Sequence, residues 1–188
     1  MKILNDMMEL ANELIRSMNF PLPHYIKILV VDDNSTDVDL LKKVLSIDGL
    51  VNYSIDWESN CEVAIKKVLE NKYDVYFIDF KLGPMTATEF IQECMKRGAH
   101  GPFMVWSGYS TEKELEEALN SNIIGFFPKN ILVNFPSTKQ TYLIIDSLIR
   151  YAIKNYRLIN SSLEFKKSLD KKTKEYLNAT QNATQKHL

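Results

Sequence analysis

Several classes of protein are excluded by what this chain of 188 residues lacks. It has only two cysteines, Cys61 and Cys94, so a disulfide framework is ruled out and reduced thiols in a cytoplasmic protein are expected. Six glycines and six prolines are too few for a collagen-like or low-complexity chain. Apolar residues make up 45% of the chain, yet no apolar run reaches membrane-spanning length, so we expect one filled core and no membrane partner.

Charge is distributed unevenly along the chain, although the net charge is only −1. From residue 150 onward there are nine Lys and Arg against three Asp and Glu, whereas residues 1–149 have fourteen against twenty-one. A basic end suggests binding to nucleic acid or to a membrane surface. No helix-turn-helix, long basic zipper or aromatic stacking platform accompanies it, so we expect no direct nucleic-acid binding and favour a solvated helix or an acidic protein partner.

Four apolar runs each end at a residue with a polar side chain. The runs cover residues 27–31, 75–78, 103–106 and 123–128, and the polar residues that follow them are Asp32 with Asp33, Asp79, Ser107 and Lys129. Unbroken apolar runs of this length are typical of buried parallel strands. Because ligands bind at the carboxyl ends of such strands, we expect these polar side chains to lie together at one edge of a sheet.

Segments with a helical apolar face lie between the runs. The first starts at Ser35-Thr36-Asp37 and repeats apolar residues from Val38, and the second repeats them from Cys61. A further strand is expected at residues 51–55. Strand and helix therefore alternate five times, which predicts an α/β fold with a doubly wound, five-stranded parallel sheet.

The residues at the strand ends resemble the receiver domain of two-component response regulators, over residues 26–150. This resemblance implies a flavodoxin-like sheet with strand order 2-1-3-4-5. The variants Leu82-Gly83 and Pro128-Lys129-Asn130 are similar to a receiver subgroup often joined to sensory kinases or cyclase-type outputs.

The resemblance also implies a role for each site residue. Asp32 and Asp33 would bind Mg²⁺ together with Asp79 and the backbone carbonyl of Lys81. Asp79 would accept a phosphoryl group from the phosphohistidine of a histidine kinase or phosphotransfer protein. Ser107 would be the switch hydroxyl, and Lys129 would contact the phosphate.

Elementary electrostatics agrees with these roles. Three neighbouring carboxylates repel one another, and Mg²⁺ prefers carboxylate oxygens and retained waters, so a bound Mg²⁺ would relieve the repulsion. Lys129 would screen the remaining phosphoryl charge, and Asp79 can then act as an in-line nucleophile without a base. Ser107 can donate to a phosphoryl oxygen, and its movement would shift the fourth strand and the loop after it.

Four further positions are expected to control switching and the lifetime of the phosphoryl group. Phe126 stands where many receivers have a rotating tyrosine, and Gly108 leaves room for the incoming group. Lys81 and Tyr109 lie two residues beyond Asp79 and Ser107, where the resemblance places side chains that flank the attacking water. Because both side chains are large, we expect slow self-dephosphorylation.

The leading hypothesis is a signalling switch, not an enzyme beyond its own phosphorylation and dephosphorylation. The switched surface would comprise residues 111–121, the fifth strand and the start of the last helix, and would act on a downstream protein or a fused output domain. One alternative is a docking or dimerisation module that does not depend on phosphorylation. Another is an aspartyl phosphohydrolase, which needs a second acid where Lys81 stands.

Helical extensions are expected at both ends of the domain. Residues 1–25 comprise an amphipathic helix, not a signal peptide, which either covers the receiver or joins a dimer interface. Residues 151–188 extend the last helix, which begins near Lys139 and ends in a polar stretch that is expected to fray. The heptad-like spacing of Ile149, Ala152, Tyr156, Ile159 and Leu163 favours a short coiled coil and a possible homodimer through the terminal helices.

Overall fold

The computed structural model describes residues 23–47, 51–108, 116, 123–134 and 139–185. Five strands form its centre: β1 (Tyr25–Val31), β2 (Asn52–Glu58), β3 (Val75–Asp79), β4 (Phe103–Ser107) and β5 (Gly125–Pro128). The helices are α1 (Ser35–Leu45), α2 (Cys61–Leu69), α3 (Ala87–Lys96), α4 (Asn130–Asn134) and α5 (Lys139–Gln185).

All neighbouring strands are parallel, and their order is β2-β1-β3-β4-β5. This confirms the predicted fold class and strand order. The register aligns Val31 with Ile78 and Asp79 with Trp106. Ser107 is aligned in turn with Pro128, so β1, β3, β4 and β5 all end at the same edge of the sheet.

Apolar side chains fill the space on both faces of the sheet. On one face, alternate residues of the strands pack against α1, α4 and the start of α5. On the other face, the intervening residues pack against α2 and α3. The period-two alternation of strand side chains accounts for this division. Burial on both faces explains why β1, β3 and β4 are almost entirely apolar.

Polar caps determine where three of the helices begin. Asn34 accepts from the backbone N–H of Thr36 at the start of α1, and Asn60 accepts from Val63 at the start of α2. Thr86 and Glu89 form a reciprocal capping box at the start of α3. The Asn34 cap directly follows Asp32 and Asp33, so it also sets where the chain turns away from the sheet edge.

Two elements differ from the sequence-based expectation. The second strand was expected at residues 51–55, but β2 continues to Glu58 because Asp56, Trp57 and Glu58 pair with the last three residues of β1. The short helix α4 follows Lys129 directly and was not expected. Its five residues are too few to show a helical period in the sequence.

The last helix, α5, has 47 residues and begins at the expected position, Lys139. Its first part belongs to a compact unit that spans Leu22–Ile153, and the part from Lys154 onward belongs to a second unit. Ile149 and Ala152 are buried in the core of the first unit, whereas Ile159 and Leu163 are exposed. The first two residues of the predicted coiled-coil seam, Ile149 and Ala152, therefore pack in the core of the first unit. The coiled coil, the fraying of the end of the helix and the domain boundaries stay predictions.

Neither α5 nor any other helix in the described ranges is both long and apolar enough to cross a membrane.

Candidate functional site

Three carboxylates converge at the sheet edge where β1 and β3 end. Asp32 directly follows β1 and is fully buried, Asp79 is the last residue of β3 and is also buried, and Asp33 is exposed. One oxygen from each of the three lies within 4.8 Å of the others. The strand ends therefore bring together the acids that the sequence analysis selected.

Lys129 brings a positive charge to the same place from the end of β5. Its Nζ lies 2.6 Å from Asp79 Oδ1 and 2.7 Å from Asp32 Oδ2, and its side chain is only 9% exposed. The ammonium also sits 4.7 Å from the ring centroid of Trp106, a cation–π distance. Its backbone N–H donates to the carbonyl of Ser107 at 2.8 Å, so β4 and β5 hold the start of this side chain in place.

Burial controls the protonation of these groups. It raises the pKa of Asp32 to about 6, even though Lys129 and the backbone N–H of Asn34 act in the opposite direction. It raises the pKa of Asp79 as well, against the opposing effect of Lys129. Burial lowers the pKa of Lys129, but its ion pairs with Asp32 and Asp79 outweigh this and leave that pKa raised. Ionised together, Asp32, Asp33 and Asp79 would carry more negative charge than one lysine neutralises, and the raised pKa values of Asp32 and Asp79 reflect the cost of burying that charge.

Two groups that the sequence analysis did not select hold Asp32 in position. The backbone N–H of Asn34 donates to Asp32 Oδ1 at 2.8 Å. The indole Nε1 of Trp57, at the end of β2, donates to the backbone carbonyl of Asp32 at 2.7 Å. Trp57 stands in the part of β2 that lay outside the predicted strand. Recognising that β2 ends beside β1 would have placed this indole at the site.

A third missed residue is Asp37, whose Oδ2 lies 3.0 Å from Lys129 Nζ. The sequence analysis assigned it only to the start of the first helix. The short distance in sequence from Asp32 and Asp33 to Asp37 could have indicated this contact. A helix that begins directly after Asp32 and Asp33 places its first turn at the same sheet edge.

The loop between β3 and α3 fixes the backbone beside Asp79. The N–H of Lys81 donates to Asp79 Oδ2 at 3.0 Å, and Lys81 also pairs with Thr86 in an isolated antiparallel bridge. Gly83 closes the turn with φ +70°, a conformation that favours glycine. Lys81 thus lies next to Asp79 with an exposed side chain, and metal binding by its carbonyl stays a prediction.

The remaining predicted positions are placed as follows. Ser107 ends β4 and is buried. Gly108 beyond it is exposed, and apart from its chain neighbours no atom of the described residues lies within 4 Å of the position that a Cβ would take. Phe126 is half-buried in β5 and packs against the core on the α2 and α3 side. Tyr109, the N-terminal helix, and the predicted surface at residues 111–121 apart from residue 116 lie outside the described residues.

The donor set fits a hard divalent cation. Its members are carboxylate oxygens that lie close together on Asp32, Asp33 and Asp79. Apart from its ion pair with Lys129, Asp32 Oδ2 has no hydrogen-bond donor among the described residues, although it is buried. Oxygen ligands with room for retained waters suit Mg²⁺, which is usually bound by one or two carboxylates.

Comparison with known proteins decides the family. The sequence pattern of the response regulator receiver domain matches residues 28–134. The chain belongs to the response regulator receiver family. Receiver domains are signalling domains of two-component systems, and this establishes the chain as a two-component receiver.

Curated relatives of this receiver include proteins with different overall functions. It is 30% identical over 106 residues to the transcriptional regulatory protein ComA of Bacillus subtilis, a match covering 55% of this chain and 49% of ComA. It is 31% identical over 153 residues to a protein-glutamate methylesterase/protein-glutamine glutaminase of Caldanaerobacter subterraneus, a match covering 80% of this chain and 41% of that protein. It is 27% identical over 114 residues to the osmosensing histidine protein kinase SLN1 of Saccharomyces cerevisiae, a match covering 56% of this chain and 9% of SLN1. The receiver thus spans less than half the length of each relative.

Solved structures share the receiver fold. The signal receiver domain of the response regulator NarL from Mycobacterium tuberculosis matches with a TM-score of 0.53 at 17% identity, covering 69% of this chain and 98% of that domain. A CheY-like receiver domain from Methanospirillum hungatei matches with a TM-score of 0.53 at 20% identity, covering 70% of this chain and 98% of that domain.

Proposed function

We propose that this receiver is a phosphoacceptor, and that Asp79 takes a phosphoryl group from the phosphohistidine of a partner protein in a Mg²⁺-dependent reaction. The observation that carries the proposal is the position of Asp79, whose carboxylate lies within 4.8 Å of two other acids and 2.6 Å from Lys129. An ammonium beside a surplus of carboxylates suits the transfer of a group that is itself multiply negative.

The chemistry assigns a task to each residue. A carboxylate oxygen of Asp79 forms the new O–P bond while the P–N bond of the donor breaks, and the electron pair of that bond stays on the imidazole nitrogen. Lys129 donates to a phosphoryl oxygen and neutralises part of its charge. Ser107, at the end of β4, donates to another phosphoryl oxygen once the group has arrived, and its movement shifts the loop that follows.

Asp32, Asp33 and Asp79 are the side chains that would hold Mg²⁺, with the Lys81 carbonyl as a further ligand. When bound, the ion would neutralise charge on the carboxylates and on the phosphoryl oxygens. Asn34 and Trp57 hold Asp32 for this role through hydrogen bonds of 2.8 and 2.7 Å. The backbone N–H of Lys81 orients Asp79 in the same way.

The donor is proposed to be a histidine kinase or a phosphotransfer protein. The similarity to part of a histidine protein kinase supports this type of partner. The output is proposed to be a change in a protein-interaction surface, read by a separate protein or by a fused domain. Residues 1–25 and 151–188 are proposed as helical extensions of a receiver domain at 26–150, with dimerisation as one role for them.

The test is covalent labelling with a small phosphodonor. Wild-type receiver, Asp79→Asn and Asp39→Asn are incubated with acetyl phosphate, with and without Mg²⁺, and their intact masses are measured. Asp39 is an exposed residue of α1, so its change to Asn is a matched control for loss of one carboxylate. We expect one added phosphoryl group on wild type and on Asp39→Asn, only with Mg²⁺, and none on Asp79→Asn.

Labelling of Asp79→Asn equal to wild type would refute Asp79 as the acceptor. A wild-type protein that neither gains mass nor binds beryllofluoride with Mg²⁺ would favour the phosphorylation-independent docking module instead.

A further inference from the structure

The ammonium of Lys129 is shared among three carboxylates, not two. Asp79 and Asp32 lie 2.6 and 2.7 Å from its Nζ, and Asp37 lies 3.0 Å from it. A lysine ammonium has three N–H donors and no more. The carboxylates within ion-pair distance therefore equal the N–H donors of Lys129 in number.

Asp37 differs from the other two carboxylates in place and exposure. It comes from the first turn of α1 and not from a strand end, and its side chain is 21% exposed, against 0% for Asp32 and 10% for Asp79. It is not one of the three acids whose oxygens cluster within 4.8 Å. Its contact with Lys129 is also the longest of the three. It is thus the carboxylate that Lys129 gives up most easily.

The first turn of α1 holds Asp37 in this position. Asn34 donates through Nδ2 to Asp37 Oδ2 at 3.1 Å, while Asn34 Oδ1 accepts from the backbone N–H of Thr36 at 3.1 Å. The same cap residue donates its backbone N–H to Asp32. A carboxylate in the first turn also interacts favourably with the N-terminal end of the helix dipole. Asp37 therefore stays near Lys129 without depending on that ion pair alone.

We propose that Asp37 is a positioning residue that competes with the phosphoryl group for the ammonium of Lys129. This inference rests on the proposed function, in which Lys129 donates to a phosphoryl oxygen. To do so, Lys129 must release one of its three carboxylates, and Asp37 is the one with the weakest hold. If Asp37 stayed 3.0 Å from Lys129 Nζ, its carboxylate would also repel the negative oxygens of a phosphoryl group bound to that lysine.

The opposite role, in which Asp37 aids binding by orienting Lys129, is disfavoured by the other contacts of the lysine. Its side chain is 9% exposed, is paired with Asp32 and Asp79, and lies 4.7 Å from the centroid of the Trp106 ring. These contacts already restrict the side chain, so loss of Asp37 should free a donor without freeing the lysine. Competition is thus the larger effect.

The test compares wild type with Asp37→Asn and Asp39→Asn. Asparagine at position 37 keeps an oxygen that can accept from Asn34 but removes the charge. Position 39 loses the same charge on the same helix from an exposed residue. The first readout is the affinity for beryllofluoride at saturating Mg²⁺, followed by tryptophan fluorescence. The second is the proton-exchange rate of the Lys129 ammonium, followed by ¹⁵N NMR without Mg²⁺ or the mimic.

For Asp37→Asn we expect faster ammonium exchange than in wild type and tighter beryllofluoride binding, by about threefold to fivefold for a partly exposed ion pair. Asp39→Asn should leave both quantities within twofold of wild type, a margin of about 0.4 kcal/mol. Asp37→Ser also removes the charge and offers Asn34 a hydroxyl oxygen as acceptor, so it should behave like Asp37→Asn and guards against a folding defect in one variant.

Three results would overturn the inference. Equal or weaker mimic binding by Asp37→Asn with faster ammonium exchange would show that the ion pair exists but does not compete. An equal gain in Asp39→Asn would show a general charge effect. If wild type and all variants fail to bind the mimic, while ammonium exchange still responds to Asp37→Asn, the proposed function fails and takes the competition with it.

Discussion

Tyr53 donates its hydroxyl to Asp146 Oδ1 at 2.5 Å, although 93 residues of chain separate the two. Asp146 also accepts from Arg150 Nε at 2.8 Å through its other oxygen. Burial, together with the hydrogen bond to Asp146, raises the pKa of Tyr53, so its hydroxyl stays protonated and remains the donor. This contact ties the edge strand β2 to the first part of α5 within the compact unit that spans Leu22–Ile153.

Removal of that hydroxyl is expected to destabilise the receiver. Tyr53→Phe should lower the free energy of unfolding by about 1.5–3 kcal/mol, because a charged acceptor loses its donor in a partly buried place. Tyr73→Phe is a matched control, since Tyr73 donates to the exposed Asp56 at 2.7 Å and should cost less. Urea unfolding measures both changes. Equal losses in the two variants would mean that the burial of the Tyr53 contact adds nothing.

Magnesium is expected to stabilise the folded receiver through its carboxylates. By mass action, Mg²⁺ at one hundred times its dissociation constant should add about 2.7 kcal/mol to the free energy of unfolding. Asp32→Asn should abolish this gain, and Asp39→Asn should keep it, because only Asp32 belongs to the acidic cluster. Thermal unfolding with and without Mg²⁺ measures the effect. A gain of similar size in Asp32→Asn would place the bound ion elsewhere.

Alkaline pH is expected to destabilise the receiver partly through Cys94. Burial raises the pKa of this thiol to about 12, whereas an unfolded cysteine has a pKa of about 8.5. Between these values the unfolded chain has lost the proton that the folded chain keeps, so stability falls by about 1.4 kcal/mol per pH unit. Cys94→Ala should show a shallower decline from pH 9 to 11 in urea unfolding. Parallel curves for the two proteins would contradict the assignment.

The side chain of Lys81 is expected to slow hydrolysis of the phosphorylated site. Its backbone is fixed next to Asp79 by the 3.0 Å hydrogen bond, and the residue is exposed. Lys81→Ala should release phosphate several-fold faster, because water would gain access to the acyl phosphate. Lys72→Ala removes another exposed lysine and should match wild type. Release of labelled phosphate measures all three rates, and identical rates would remove Lys81 from this role.

The strands at the centre of the sheet were the most predictable part of the fold. In β1, β3 and β4 both faces are buried, so nearly every residue is apolar and the polar residue at the end stands out. The edge strand β2 was less predictable. Only one of its sides is paired, and Asp56 and Glu58 are tolerated there, which hides the end of the strand in the sequence.

The same distinction applies to the candidate site. Asp32, Asp79 and Lys129 could be selected because each follows an apolar run, and the structure brings their charged atoms together. Asp37 and Trp57 could not, because their contacts depend on how far a helical turn or an edge indole reaches across the sheet edge. In the sequence, Asp37 is sufficiently explained as an acid that stabilises the first turn of a helix. Its contact with Lys129 becomes visible only in the structure.

Lys129 is the last charged residue of the site to leave the ribosome. Asp32, Asp33 and Asp79 are all synthesised before it, because chains emerge from their amino end. A nascent chain that stops short of β5 holds four site carboxylates, those of Asp32, Asp33, Asp37 and Asp79, without the ammonium of Lys129, and their mutual repulsion opposes the pairing of β1 with β3. The one ammonium that offsets part of this negative charge therefore reaches the sheet edge only when the fifth strand has joined the fourth, after the rest of the sheet has been synthesised.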